Sequence, residues 1–266
     1  MKCYYTILKD SQANIMPTQF LNDKLISKLS LESFKLEKSS SWFNFQNLIS
    51  PVKFHELLNN FPPINLFEEH KNLRRRYGQR PHNRYYLAYD SSIHHSSTYE
   101  GKGIIRHSEL PTCWQKFIGE LASTQYTEFI QSILNINTFS LRFDWHIGIN
   151  GSEVSPHLDA PVKVATHLFY FNTDEDWNYS WGGETLILGD KLTNYMNPSF
   201  DDFRTTKIIK ITDNSSLLLQ NSPEAWHGVK PLSCPQNRCR KLFNVVFETP
   251  HADAQPLLFR AGLQED

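Results

Sequence analysis

The sequence predicts a mainly β protein with helices, an α+β chain, and three observations carry that expectation. The hydrophobic period changes from helical spacing to two at about residue 138. The segments beyond that point are short and separated by turn-formers such as "INGS", "WGGE", "DNSS" and "NSPE". No βαβ rhythm, GxGxxG or GxxxxGK[ST] is present, which removes the nucleotide-binding folds. Strands of this kind suggest a sandwich, a barrel or a jelly roll.

The helical part comes first. "TQFLNDKLISKLSLESF" places Leu21, Leu25, Leu29 and Leu31 near helical spacing, and "SPVKFHELLNNF" offers a serine cap with Pro51 in the first turn. "LPTCWQKFIGELAS" and "TQYTEFIQSILNI" carry Trp114, Phe117, Ile118, Leu121, then Phe129, Ile130, Ile133 and Leu134, which reads as two amphipathic helices. The strands follow as "TFSLRFDWHIGI", "KVATHLFYFN", "ETLILGD", "TKIIKITD", "SLLLQN", "AWHGVKPL" and "RKLFNVVFE". The expected organisation is an extension over 1–110, a core over 111–250 and a tail over 251–266.

Composition narrows the class further. With 39% hydrophobic and 13% aromatic residues, a chain of 266 can bury a real core, which argues against wholesale disorder. A net charge of −1 supplies no global field for nucleic acid or an acidic membrane. The four cysteines form no CxxC pair and read as the reduced thiols of a cytoplasmic protein. No signal-peptide pattern or membrane-length apolar run is visible, so a soluble protein is expected.

"SPHLDAP", residues 155–161, raises the chemical question. His157 and Asp159 share a face if the chain is extended there. HxD alone is weak, because His251-Ala252-Asp253 repeats it. Only the first copy is followed by a further histidine, His227, and then by a basic strand with Arg238 and Arg240. Two imidazoles and one carboxylate make a facial triad that leaves coordination positions open, as a catalytic metal needs. A closed structural zinc site would be richer in cysteine, and none lies near His157. Taken singly, these residues also read as a solvated loop pair and a buried histidine; the constellation favours metal.

The region from about 138 to 248 resembles the non-haem Fe(II)/2-oxoglutarate-dependent dioxygenases, in particular their prolyl-hydroxylase-like branch. The likeness rests on HxD, a distant His, a basic residue opening the last core strand, and "KVATHLFYFNTDEDWNYSWGGETLIL" with its Thr, Tyr and "GG". The resemblance implies a double-stranded β-helix, or jelly roll, with helices packed on one sheet. It implies Fe(II) on His157, Asp159 and His227, with 2-oxoglutarate and O2 as co-substrates and ascorbate as a possible accessory. Arg240 would pair with the distal carboxylate of 2-oxoglutarate, Arg238 being the alternative; Tyr170 would donate to the same carboxylate with Thr166 near it. The product side would be succinate, CO2 and a hydroxylated C–H bond.

For substrate, "RRRYGQRPHNRYY" offers Arg74, Arg76 and Arg80, and Arg142, Trp145 and Trp181 lie near the site in sequence. The expected partner is a small-molecule or peptidyl substrate, with neither nucleic acid nor membrane. Two rivals stay open: a cupin-like metal-binding or 2-oxoglutarate-sensing protein without oxygenase activity, and a nucleic-acid demethylase. The second group resembles this chain but carries two arginines six apart on its last strand, where Asn244 follows Arg238 here.

Overall fold

The structure is a computed structural model, and it describes residues 19–28, 41–72, 82–90 and 102–250. Helix α1 is Asp23–Ile26 and strand β1 is Trp42–Gln46. Helix α2, Pro51–Asn59, begins as its sequence predicts, with Ser50 at the cap position and Pro51 in the first turn. Strands β2 (Glu68–His70), β3 (Arg84–Tyr89) and β4 (Ile104–Ile105) follow. Helices α3 (Thr112–Leu121) and α4 (Thr124–Leu134) lie where the apolar spacing puts them. Helix α4 stops at Asn135, which adopts a left-handed conformation (φ 54°) that ends a helix readily.

The strands beyond are β5 (Ser140–Gly148), β6 (Val154–His157), β7 (Lys163–Tyr170) and β8 (Thr185–Lys191). They are followed by β9 (Phe203–Ile209), β10 (Ser215–Gln220), β11 (Trp226–Val229) and β12 (Arg240–Glu248). Among the described residues one sheet runs β1-β10-β7-β12-β5-β3-β2, with β4 beside β3, and a second runs β6-β11-β8-β9. From β5 onward the chain alternates between the two sheets except at β8 and β9, a consecutive pair within the smaller one, and this is the double-stranded β-helix.

The two faces of the larger sheet have opposite chemistry, because the pleat sends alternate side chains to opposite sides. Phe243, Val245 and Phe247 of β12, with Phe143 and Trp145 of β5, form one face. That face packs against Trp114, Phe117 and Leu121 of α3 and Tyr126, Ile130 and Ile133 of α4. Each such side chain, fully buried, contributes about 1.5–3 kcal/mol. The opposite face carries Arg240, Leu242, Asn244 and Val246, in register with Tyr170, Leu168 and Thr166 of β7. It also carries Arg142, Asp144 and His146 of β5 and Tyr86 of β3. This face turns towards the smaller sheet and holds the functional residues.

Of the segment whose leucines lie near helical spacing, the described residues form α1, and Leu29 and Leu31 lie outside them. The 1–110 segment does not merely pack on a core that begins at 111. Strand β1 pairs with β10, and β3 pairs with β5, so hydrogen-bonded sheet crosses that boundary. Strands β2 and β3 were missed because their inward residues, such as Glu68, His70 and Arg84, are polar and hide the alternation. No helix among the described residues is long and apolar enough to cross a membrane, and no disulfide links Cys113, Cys234 or Cys239.

Candidate metal centre

Strand β6 ends on His157, and Asp159 follows in a tight segment whose carbonyls are gathered by one side chain. The Asn221 amide donates to the carbonyls of Ala160 and Lys163 at 3.2 and 2.9 Å. Between the two ligands, Leu158 turns away and packs against Leu186, Leu188, Phe203 and Trp226. That single apolar anchor keeps the two polar neighbours on the cavity side.

The third residue arrives across a strand pair. His227 of β11 stands directly opposite His157 of β6, and the ring centroids are 4.2 Å apart. One potential ligand atom from each of His157, Asp159 and His227 lies within 4.8 Å of the others. Nδ1 of His157 lies 3.0 Å from the Ser155 carbonyl, and Nδ1 of His227 lies 2.9 Å from the Ala225 carbonyl. A carbonyl only accepts, so in each ring Nδ1 carries the proton and Nε2 keeps a lone pair. This is the tautomer a metal ligand needs, fixed by the strand's own backbone. The donor set therefore fits a divalent metal such as Fe(II).

Asp159 is held at both oxygens. Lys163 Nζ donates to Oδ1 at 2.6 Å and Thr166 Oγ1 to Oδ2 at 3.2 Å. Burial alone would raise this carboxyl, but the charges of Lys163, His227 and His157 outweigh it and hold it well below the usual carboxylate range. A ligand that is anionic at any working pH results.

A second cluster lies around the start of β12. Arg240 is buried, its Nε donates to the Gly183 carbonyl at 2.6 Å, and its Nη2 donates to Thr185 Oγ1 at 3.1 Å. Tyr170 donates to the same Thr185 hydroxyl at 2.8 Å, and its ring lies 5.3 Å from the guanidinium carbon. Gly183 has φ +95°, and a methyl on it would come within 3.2 Å of the Arg240 stem. The "GG" of the sequence is thus what lets the arginine lie flat against the β8 entry. Two of the five guanidinium N–H groups are engaged, which leaves donors for an anion.

Other expectations divide. Arg238, the alternative anchor, is exposed, whereas Arg240 is enclosed. Thr166 donates to Asp159 and so stands at the triad end of β7, about 13 Å along the strand from Tyr170 rather than beside it. Trp145 is corrected outright: it is fully buried on the helix-facing side of the sheet, against Trp114 and Phe243. Its odd position in β5 points it away from the cavity. Trp181 packs edge-on against Trp177, close to the Arg240 end. Arg142 is engaged internally by Asp144 and by Glu248 at 3.2 Å, and it donates to the Tyr86 hydroxyl. Asn244 donates to Asp144 at 3.0 Å. Arg74, Arg76, Arg80, His251 and Asp253 lie outside the described residues.

Five residues around the site escaped the sequence reading. Lys163 and Asn221 look like ordinary surface polar residues, and Thr185 like an ordinary strand residue. His82, buried 4.5 Å ring to ring from His157, and Arg84 beside it sit in the basic, aromatic stretch without any pattern of their own. The signal available was the parity of "HNRYY" leading into a strand.

A two-sheet jelly roll with a converging His, Asp, His set can hold a metal ion and leave coordination positions open. Particular solved structures share the fold. A Trichoplax adhaerens prolyl hydroxylase, solved with a peptide fragment of the hypoxia inducible factor oxygen degradation domain, gives a TM-score of 0.54 at 13% identity, covering 85% of this chain and 90% of that one. HygX from Streptomyces hygroscopicus, solved with nickel and 2-oxoglutarate bound, gives 0.54 at 11% identity over 84% and 88%. A Pseudomonas putida prolyl-4-hydroxylase gives 0.52 at 12% identity over 82% and 96%. No protein-family model matches the chain, and no curated protein matches it by sequence.

Proposed function

We propose that this chain is an Fe(II)- and 2-oxoglutarate-dependent dioxygenase that hydroxylates an unactivated C–H bond of an amino acid, a peptidyl side chain or a small metabolite. The observation that carries the reading is the convergence of His157, Asp159 and His227, with Nδ1 of each imidazole turned to a backbone carbonyl. The shared fold supports it, as does the neighbour that holds nickel and 2-oxoglutarate. When bound, the metal would supply the redox chemistry: R–H, 2-oxoglutarate and O2 become R–OH, succinate and CO2.

The protein's own part is positional. The backbone carbonyls of Ser155 and Ala225 fix both imidazoles, and Lys163 and Thr166 fix the carboxylate, so little rearrangement accompanies metal entry. Arg240, with its remaining N–H groups, would receive the distal carboxylate of 2-oxoglutarate as a charge-assisted pair. The Tyr170 hydroxyl, which donates to Thr185, would turn to the same anion. Leu217, Leu219 and Leu242, which face the cavity, would keep water from the reacting bond. Free thiols fit a reducing compartment, which would also keep iron ferrous.

Anaerobic titration with Fe(II) and 2-oxoglutarate should give a weak visible absorption, and admission of O2 should release succinate. Asp159→Ala should abolish both. A protein that binds the metal and 2-oxoglutarate yet never yields succinate would instead be a sensor. A search for products heavier by one oxygen atom, over metabolites and peptides, then finds the substrate.

A further inference from the structure

Resting on that reading, we propose that Arg84 is the anchor for a carboxylate on the substrate, so that the substrate is a free carboxylic acid, such as an amino acid, rather than an internal residue of a peptide. Arg84 opens β3 and has the parity of Tyr86, which stands opposite His146 on the cavity face. Its Nη1 lies 3.4 Å from Nδ1 of His82, and the His82 ring lies 4.5 Å from that of His157. A bridge between Asn83 and Glu153 ties the start of β3 to the segment entering β6. The guanidinium is therefore one side chain removed from the triad.

Among the described residues Arg84 has neither a counter-ion nor the set of polar partners that Arg240 has. Arg142 is bracketed by Asp144 and Glu248, Lys163 by Asp159, and Lys241 by Asp176. No carboxylate among the described residues lies within ion-pair distance of Arg84, and its buried Nε has no acceptor. The two nearby acids that act on it electrostatically, Asp144 and Asp159, are spoken for. Asp144 is taken by Arg142, His146 and Asn244, and Asp159 by Lys163, Thr166 and the triad.

Nor does the co-substrate need this residue. Arg240 already has Gly183, Thr185 and Tyr170 arranged around it at another place in the cavity. Of the two guanidinium groups, Arg240 is built into a cradle, whereas Arg84 meets the His82 ring and keeps an Nε without an acceptor. A planar fork of donors with one N–H near His82 and its Nε without an acceptor matches a carboxylate in bidentate geometry. An internal peptide residue presents no α-carboxylate there, and a free acid does.

The test uses the full chain loaded with Mn(II) and 2-oxoglutarate, so that nothing turns over. Free L-amino acids and small hydroxy acids are titrated by calorimetry, each beside its carboxamide. At least one carboxylate should bind about tenfold tighter than its amide. In Arg84→Gln that ratio should fall to about one, while the dissociation constants for Mn(II) and 2-oxoglutarate stay within about twofold of the parent. Arg84→Lys, which keeps the charge and loses the fork, should give an intermediate ratio and serves if the glutamine variant does not fold. The proposal is overturned if no pair prefers the carboxylate, or if the preference survives in the variants. It is also overturned if Arg84→Gln weakens 2-oxoglutarate instead, which would assign the residue to the co-substrate. Failure of the parent protein to bind Mn(II) or 2-oxoglutarate at all would count against the oxygenase reading itself and is seen before any acid is added.

Discussion

His167 is fully buried on the helix side of β7, with Nδ1 2.7 Å from the Tyr126 hydroxyl and Nε2 3.0 Å from the Ser216 hydroxyl. Burial pushes it down to about 3 from an ordinary value near 6.5. The unfolded chain then holds the proton more tightly, so stability is intact above about pH 6.5 and is lost as pH falls towards 3. Chemical denaturation should show a fall of about 1.4 kcal/mol per pH unit between pH 6 and 4 from this residue. His167→Gln should flatten that slope, and an unchanged slope would exclude the histidine as its source. The same scale shows what sequence makes legible. His157, Asp159 and His227 are readable because metal chemistry demands those types in that order. Arg84 and His82 are not, because their meaning lies in which strand face they occupy and in the absence of a partner, neither of which a linear pattern records.

Strand β11 makes the triad possible, and its close approach to β6 depends on Gly228. A methyl there would lie 2.8 Å from the Val154 carbonyl and 3.0 Å from the Phe200 ring. Gly228→Ala should push the two strands apart and move His227 away from His157. Mn(II) affinity, measured by titration, should drop about tenfold, or about 1.4 kcal/mol. Gly119→Ala, in α3 with nothing within 4 Å of the added methyl, is the control and should leave Mn(II) affinity unchanged. Equal effects from both would show that the metal site tolerates the shift. Among the elements, β5, β7 and β12 are legible because each alternates an aromatic face with a second face. Short β2 and β4 carry too few residues for any period to register, and β6 is masked by its proline.

At the scale of the whole molecule, residues before 111 complete the larger sheet rather than decorate it. Strand β1 closes the outer edge of β10, and β3 covers β5, whose Asp144 and Arg142 would otherwise face water. The backbone amides of Phe20 and Leu21 each donate to Glu120 of α3 at 2.8 Å, fastening the early segment to the helices. A fragment spanning 111–250 should therefore show no cooperative unfolding by circular dichroism, and a sharp transition would demonstrate that the core is autonomous. Strand β6, by contrast, is an outermost strand among the described residues: its ladder there has β11 on one side and no further strand on the other. Its four residues and one proline leave few amides to secure it. A cation gripped by His157 and His227 would rivet that seam from within, so loading the metal should slow hydrogen exchange at Val154, Ser155 and His157 far more than in β12. The ion would be as much a fastener of the barrel's mouth as a reagent inside it.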